Sequence, residues 1–187
     1  MLRTKDILDE KDPRVRAKNT DVDFPLNDEY KDIIPKMLKH LRYSQIEKLS
    51  KKYDLRPGMG LAAPQLGINK NFFVVCYEVK DGVFDDYILI NPKVISYSEE
   101  MIYVGEGEGC LSVNREVEGI VPRHARITVE AYDLDGNKRK YRVREDLAIA
   151  FQHELDHLNG ILFVDYIDPK DPVSYTHLRA HETGAYL

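Results

Sequence analysis

Residues 152–160 read Gln-His-Glu-Leu-Asp-His-Leu-Asn-Gly. On an α-helix, positions i and i+4 lie almost above one another, so His153 and His157 turn both imidazoles toward one point. Two neutral imidazole nitrogens suit zinc or iron. Glu154 is turned from His153 by about 100° and can lean toward a water at that point without binding the metal itself. A cation that acidifies water and a carboxylate that takes its proton are the working parts of a metal hydrolase. Helix composition alone can also place two histidines at this spacing, and the motif holds no third ligand.

Metzincin proteases match this stretch as far as Gly160, but their third histidine would fall at Phe163. Gluzincin-type proteases use a downstream glutamate, whereas the segment after Gly160 offers only Asp165 and Asp168. Upstream, residues 105–112 read Gly-Glu-Gly-Glu-Gly-Cys-Leu-Ser. Alternating glycines leave that backbone free to approach something closely. Cys110 follows them, and taken alone it is either a small buried apolar residue or a thiolate stabilised by a metal. A third stretch, Gly-Met-Gly-Leu-Ala-Ala-Pro-Gln over 58–65, has glycines but lacks the Gly-Lys-Ser/Thr of a phosphate loop. It is a tight backbone segment carrying one long amide, Gln65, or simply a packed turn.

The elements that must position these residues are visible as patterns. Tyr30, Ile33, Ile34, Met37, Leu38 and Leu41 form a helical stripe that predicts a helix from Asn27, a plausible N-cap, to about Ser50, with Pro35 able to kink or delay it. Residues 71–79 and 86–97 are rich in β-branched and aromatic side chains, as strands are. Residues 126–143 read as two strands around an Asp135-Gly136 turn. A second helix is expected from Asp146, as cap, to Asn159, with Gly160 as its left-handed terminator. The sum is an α+β fold: mostly antiparallel strands packed around a C-terminal metal-binding helix, with an N-terminal helical segment.

The chain has 187 residues, enough for one domain with a real core. Its 27 basic and 32 acidic residues leave −5 with no basic block, which argues against a nucleic-acid partner. No apolar run reaches the roughly 18 residues of a membrane span, and the charge-mixed N-terminus is unlike a signal peptide. A cytoplasmic enzyme is the expectation, with Cys76 and Cys110 as thiols. Residues 174–187 show neither strand alternation nor a strong helical stripe. They are expected to be a non-native tail on a catalytic domain of residues 1–173.

Taken together and in this order, the stretches 58–65, 108–112 and 152–160 resemble the three signature motifs of the peptide deformylases. The lettering before the first motif is similar to the longer class found mainly in Gram-positive bacteria. The resemblance implies removal of the N-formyl group from the initiator methionine of new polypeptides, with release of formate. It implies one divalent metal held by Cys110, His153 and His157, Fe(II) in the cell, with zinc, nickel or cobalt able to occupy the site. It gives Glu154 the general acid–base role and makes the Gln65 amide and the Leu111 N–H the oxyanion donors. Gly58, Gly60 and Leu61 would offer a backbone edge to an extended peptide. Ile149, with Ala150 beside it, would line an apolar methionine pocket. Glu108 and Arg123 would form a buried pair positioning Cys110. Partners would be N-formylmethionyl nascent peptides at the ribosome exit, met by a monomer that binds neither nucleic acid nor membrane.

Two rivals remain at this level. In a non-catalytic zinc module, Cys76 would be a fourth ligand closing the site. A metallo-endopeptidase would cut inside peptides. His177 and His181, also four apart, lack a flanking glutamate, and His40 and His124 are expected to be surface or packing residues.

Overall fold

In the computed structural model, residues 1–173 and 179–181 are described. Helix α1 spans Asp28–Gln45, and the Asn27 side chain accepts from the Tyr30 N–H at 2.9 Å, so the expected cap is present. The helix runs through Pro35 without stopping. It ends sooner than its stripe suggested, because Ile46 is extended and starts a separate helix, α2, over Glu47–Tyr53.

Strands β1 (Gly60–Ala62), β2 (Phe72–Lys80) and β3 (Val83–Tyr97) follow. After them come β4 (Met101–Val104), β5 (Arg123–His124), β6 (Arg126–Tyr132) and β7 (Lys138–Arg144). Helix α3 covers Glu145–Leu158 and β8 covers Arg179–His181. One antiparallel sheet runs β1-β2-β3-β6-β7, and a smaller one runs β5-β4-β8. The expected Asp135-Gly136 turn joins β6 to β7, with Gly136 at φ +79°.

Strand β2 explains the placement of both helices. Side chains alternate across a strand, and the first five residues of this one, Phe72 to Cys76, are buried on both faces, hence their apolar run. Phe72, Val74 and Cys76 pack with Ile34, Met37 and Leu41 of α1. Phe73 and Val75 pack on the other side with Ala148 and Phe151 of α3. Helix α3 thus lies against the sheet near β1, the strand of the Gly-Met-Gly stretch.

One expectation changes here. Asp146 does not cap α3. The cap position is Arg144, which makes no side-chain cap bond, and Glu145 and Asp146 occupy the first turn, where acidic groups favour the helix dipole. Gly160 does adopt the left-handed conformation, at φ +72°. In the C-terminal stretch, β8 pairs in parallel with β4, Ile102 opposite Arg179. Most of that stretch, including His177, lies outside the described residues.

Candidate active site

Helix α3 delivers His153, Glu154 and His157 to the face that meets β1, and all three are buried. Cys110 arrives from the irregular segment between β4 and β5. Its Sγ lies 3.3 Å from His157 Nε2, and ligand atoms of Cys110, His153 and His157 all fall within 4.8 Å of one another. Among the described residues this is the one trio of histidine, cysteine or carboxylate groups so arranged. Cys76 is not part of it. That thiol is fully buried in the core against α1, where burial pushes it up to about 12 and keeps it protonated at neutral pH. Phe163, where a metzincin would carry its third histidine, stacks on the His153 ring instead, centroids 6.1 Å apart.

A thiol and two imidazoles converging in the interior fit a borderline-soft divalent ion. His153 Nδ1 is bonded to Glu108 Oε2 at 2.9 Å, which leaves Nε2 for the ion. Glu108 in turn takes a fork from Arg123, 2.7 and 2.9 Å, with both residues buried. Burial alone would raise the Glu108 carboxyl, but the Arg123 guanidinium and the His153 ring hold it down at about 2. The expected Glu108–Arg123 pair therefore exists, and it meets the site through His153. Arg123 also donates to Asp156 at 2.6 Å, and Asp156 accepts from the Tyr166 hydroxyl at 3.0 Å.

Glu154 packs closely against Gly60 of β1. A Cβ built on Gly60 would sit 2.2 Å from Glu154 Oε1, so only glycine at that position leaves the carboxylate in place. Oε2 is buried and meets no hydrogen-bond partner among the described residues, and burial pushes the carboxyl up to about 7. Gln65 sits on a short 3₁₀ helix, Ala63–Leu66, directly after β1. Its Oε1 accepts from the Ala62 N–H at 2.9 Å, which turns the NH₂ group toward Ser112 Oγ at 3.1 Å and Cys110 Sγ at 3.7 Å. Leu111 is buried, its side chain against Gly58, and among the described residues its N–H meets no acceptor. Ile149 packs with Ile102, Val104 and Ala125, whereas Ala150 joins the core beneath the sheet. His40 is wholly buried and His124 partly so.

The N-terminal segment was not anticipated at the site. The Leu8 N–H donates to Gln65 O at 2.8 Å and the Glu10 N–H to Ser112 O at 2.7 Å. Arg16 donates to Gly160 O at 3.2 Å and forms a two-bond pair with Asp165, 2.7 and 2.9 Å. One strand of chain thereby touches all three motifs. Its mixed charges carried no periodic signal that would mark such a strap.

Three converging side chains that could hold a metal ion, with a buried carboxylate beside them, fit a metal-dependent hydrolase. The chain belongs to the polypeptide deformylase family, whose model matches residues 4–173. It is 49% identical over 174 residues to the peptide deformylase of Macrococcus caseolyticus, covering 92% of this chain and 95% of that one. It is 44% identical over 183 residues to that of Staphylococcus epidermidis, covering 97% of each. Among solved structures, the peptide deformylase of Thermotoga maritima superposes with a TM-score of 0.67 at 32% identity, over 87% of this chain and 97% of that one. The protein is thus an enzyme of a family of metal-dependent hydrolases that take the N-formyl group from nascent peptides. No helix among the described residues is long and apolar enough to cross a membrane.

Proposed function

We propose that this chain deformylates the initiator methionine of nascent polypeptides at the trio Cys110, His153 and His157, with Glu154 as general acid–base. The observation that carries the reading is the meeting of one thiol and two imidazoles beside a buried carboxylate, one oxygen of which meets no partner among the described residues. Cys110, His153 and His157 would hold a divalent ion, Fe(II) in the cell with zinc, nickel or cobalt as substitutes, which would supply Lewis acidity to water near neutral pH. Glu154 takes a proton from the attacking water as its oxygen bonds to the formyl carbon. The Gln65 NH₂ and the Leu111 N–H receive the formyl oxygen as it gains charge, donors of a kind worth about 2.7–4 kcal/mol each. The carbon–nitrogen bond then breaks, Glu154 returns its proton to the methionyl amine, and formate leaves.

Among the described residues strand β1 is paired on one side only, with β2, and that edge suits an extended peptide laid along Gly58, Gly60 and Leu61. Ile149, one helical turn before His153, borders the space for the methionine side chain. An apolar pocket distinguishes one methylene by only about 1–3 kcal/mol, so tolerance beyond methionine follows. The enzyme works as a cytoplasmic monomer near the ribosome exit, with residues 1–173 as its catalytic domain.

The test is formate release from formyl-Met-Ala-Ser by anaerobically purified protein, beside Glu154→Ala, with metal content measured in both. Glu154→Ala should keep its metal and lose about 10²–10⁴ in rate. A casein peptide should remain uncut. Backbone cleavage, or a fully active Glu154→Ala, would overturn the reading.

A further inference from the structure

The segment that carries Cys110 and Leu111 belongs to no helix or strand, so its carbonyls need donors from elsewhere. One side chain serves three of them, beside two backbone donors: the Val113 N–H also donates to Cys110 O at 3.1 Å, and the Glu10 N–H donates to Ser112 O at 2.7 Å. Arg56 Nη2 donates to Cys110 O at 3.0 Å and to Val113 O at 3.1 Å, and Nη1 donates to Leu111 O at 3.4 Å and to Asn114 Oδ1. A planar guanidinium can hold several acceptors in a fixed fork, which an ammonium cannot reproduce.

The contact with Cys110 O has a consequence on the far side of the same peptide unit. That carbonyl and the Leu111 N–H belong to one plane, and in a trans peptide they point in opposite directions. A guanidinium pinned to the oxygen therefore turns the Leu111 N–H away from itself. In a chain of hydrogen bonds each member polarises the next, so a cationic donor on the carbonyl also strengthens the N–H. Leu111 is buried and its N–H meets no acceptor among the described residues, as a donor held for a ligand must be.

Arg56 is itself anchored. Two residues on, Gly58 is clamped by the Ser44 hydroxyl, which accepts from Gly58 N–H at 3.1 Å and lies 3.3 Å from Gly58 O. A Cβ on Gly58 would meet Leu111 Cδ1 at 2.8 Å, so the chain entering β1 touches the cysteine segment both here and through Arg56.

We infer that Arg56 is a positioning residue for the reaction: its guanidinium fixes and polarises the Cys110–Leu111 peptide so that the Leu111 N–H serves as an oxyanion donor. The inference rests on the deformylase reading and on Leu111 in that role.

Arg56→Gln tests it, with formate-release kinetics, zinc content and the ¹H–¹⁵N resonance of the Leu111 amide in zinc-loaded protein. The expected result is a kcat lower by about 10-fold or more. KM should stay within about twofold, zinc content should match the wild type, and the Leu111 amide proton should move upfield. Arg56→Lys restores the charge without the fork and should fall between the two. If Arg56→Gln fails to fold, Arg56→Lys carries the same three readouts. An unchanged kcat, a kcat that falls only as zinc is lost, or any loss with the Leu111 resonance unmoved overturns the inference. Gln65→Ala is run alongside. A wild type that responds to Gln65→Ala while ignoring Arg56→Gln sinks the role of Arg56 alone, whereas a wild type that releases no formate takes the deformylase reading down with it.

Discussion

The two imidazoles of α3 are one turn apart on the same helix, yet they are held by different means. His153 is the end of a chain: Nδ1 to Glu108, Glu108 to Arg123, Arg123 to Asp156, Asp156 to the Tyr166 hydroxyl. Each link is charged or polar and each is paired. His157 has nothing comparable among the described residues, where its buried Nδ1 meets no partner. It is placed by the packing of α3 and by the Cys110 sulfur, 3.3 Å from Nε2. Where a partner orients the ring, affinity for the ion depends on electrostatics behind the ligand. Where none does, it depends on the helix staying where the core puts it. The two halves of one ligand set should therefore fail differently.

The largest effect is expected at Arg123. Removing it leaves Glu108 as an uncompensated buried carboxylate, and breaking a buried pair in this way costs about 3–5 kcal/mol. Arg123→Ala should lower unfolding free energy by that amount in urea, and it should also weaken metal binding by about 10–100-fold in a chelator competition, because Glu108 is no longer fixed beside His153. Unchanged metal affinity in a folded Arg123→Ala protein would mean that the relay does not orient His153, and the contrast with His157 would lose its meaning.

A smaller effect sharpens the same contrast. Tyr166 is partly exposed, donates to Asp156, and lies against the Arg123 guanidinium at 5.1 Å from ring centroid to Cζ. Tyr166→Phe keeps the ring and deletes one hydrogen bond, so a loss of about 0.5–1.5 kcal/mol in stability is expected. Metal affinity should move by no more than a few-fold, since Arg123 retains its fork on Glu108. A drop as large as that of Arg123→Ala would place the critical link at the outer end of the chain.

Much of this was legible in the letters, for reasons that can be named. The His153–His157 pair and Glu154 are fixed by helical periodicity, and β2 by its β-branched and aromatic residues. The division of labour around them was less visible. Cys110 is an isolated letter 43 positions before His153, and nothing local separates a ligand from a core thiol. Resemblance to a family supplied what spacing could not. Glu108 and Arg123 were expected to serve Cys110, but the structure turns Glu108 toward His153, a choice set by tertiary placement of the segment between β4 and β5. Asp156 sits inside the helix motif and Tyr166 just beyond it, yet only the return of Arg123 over α3 gives either a purpose. Arg56 and the N-terminal strap left no trace at all, since a single arginine bonding to backbone carbonyls has no periodicity. The break at Ile46 and the uncapped start of α3 show tertiary demands overriding local preference.

The smallest effect belongs to Cys76, and its smallness is informative. An imidazole as weakly tethered as His157 raises the question of whether a further side chain completes the ligand set. Cys76 is the one other cysteine of the chain, and it packs with Met37, Leu41 and Val74 on the α1 side of the sheet. Cys76→Ala removes one sulfur from that core, for a loss of roughly 1 kcal/mol. Metal content by elemental analysis should be the same as in the wild type, and the ligand-field spectrum of a cobalt-loaded sample should not move. A metal deficit in the folded variant would mean that the ion holds four protein ligands. No coordination position would then remain for water in a tetrahedral site, and Glu154 would have nothing to deprotonate.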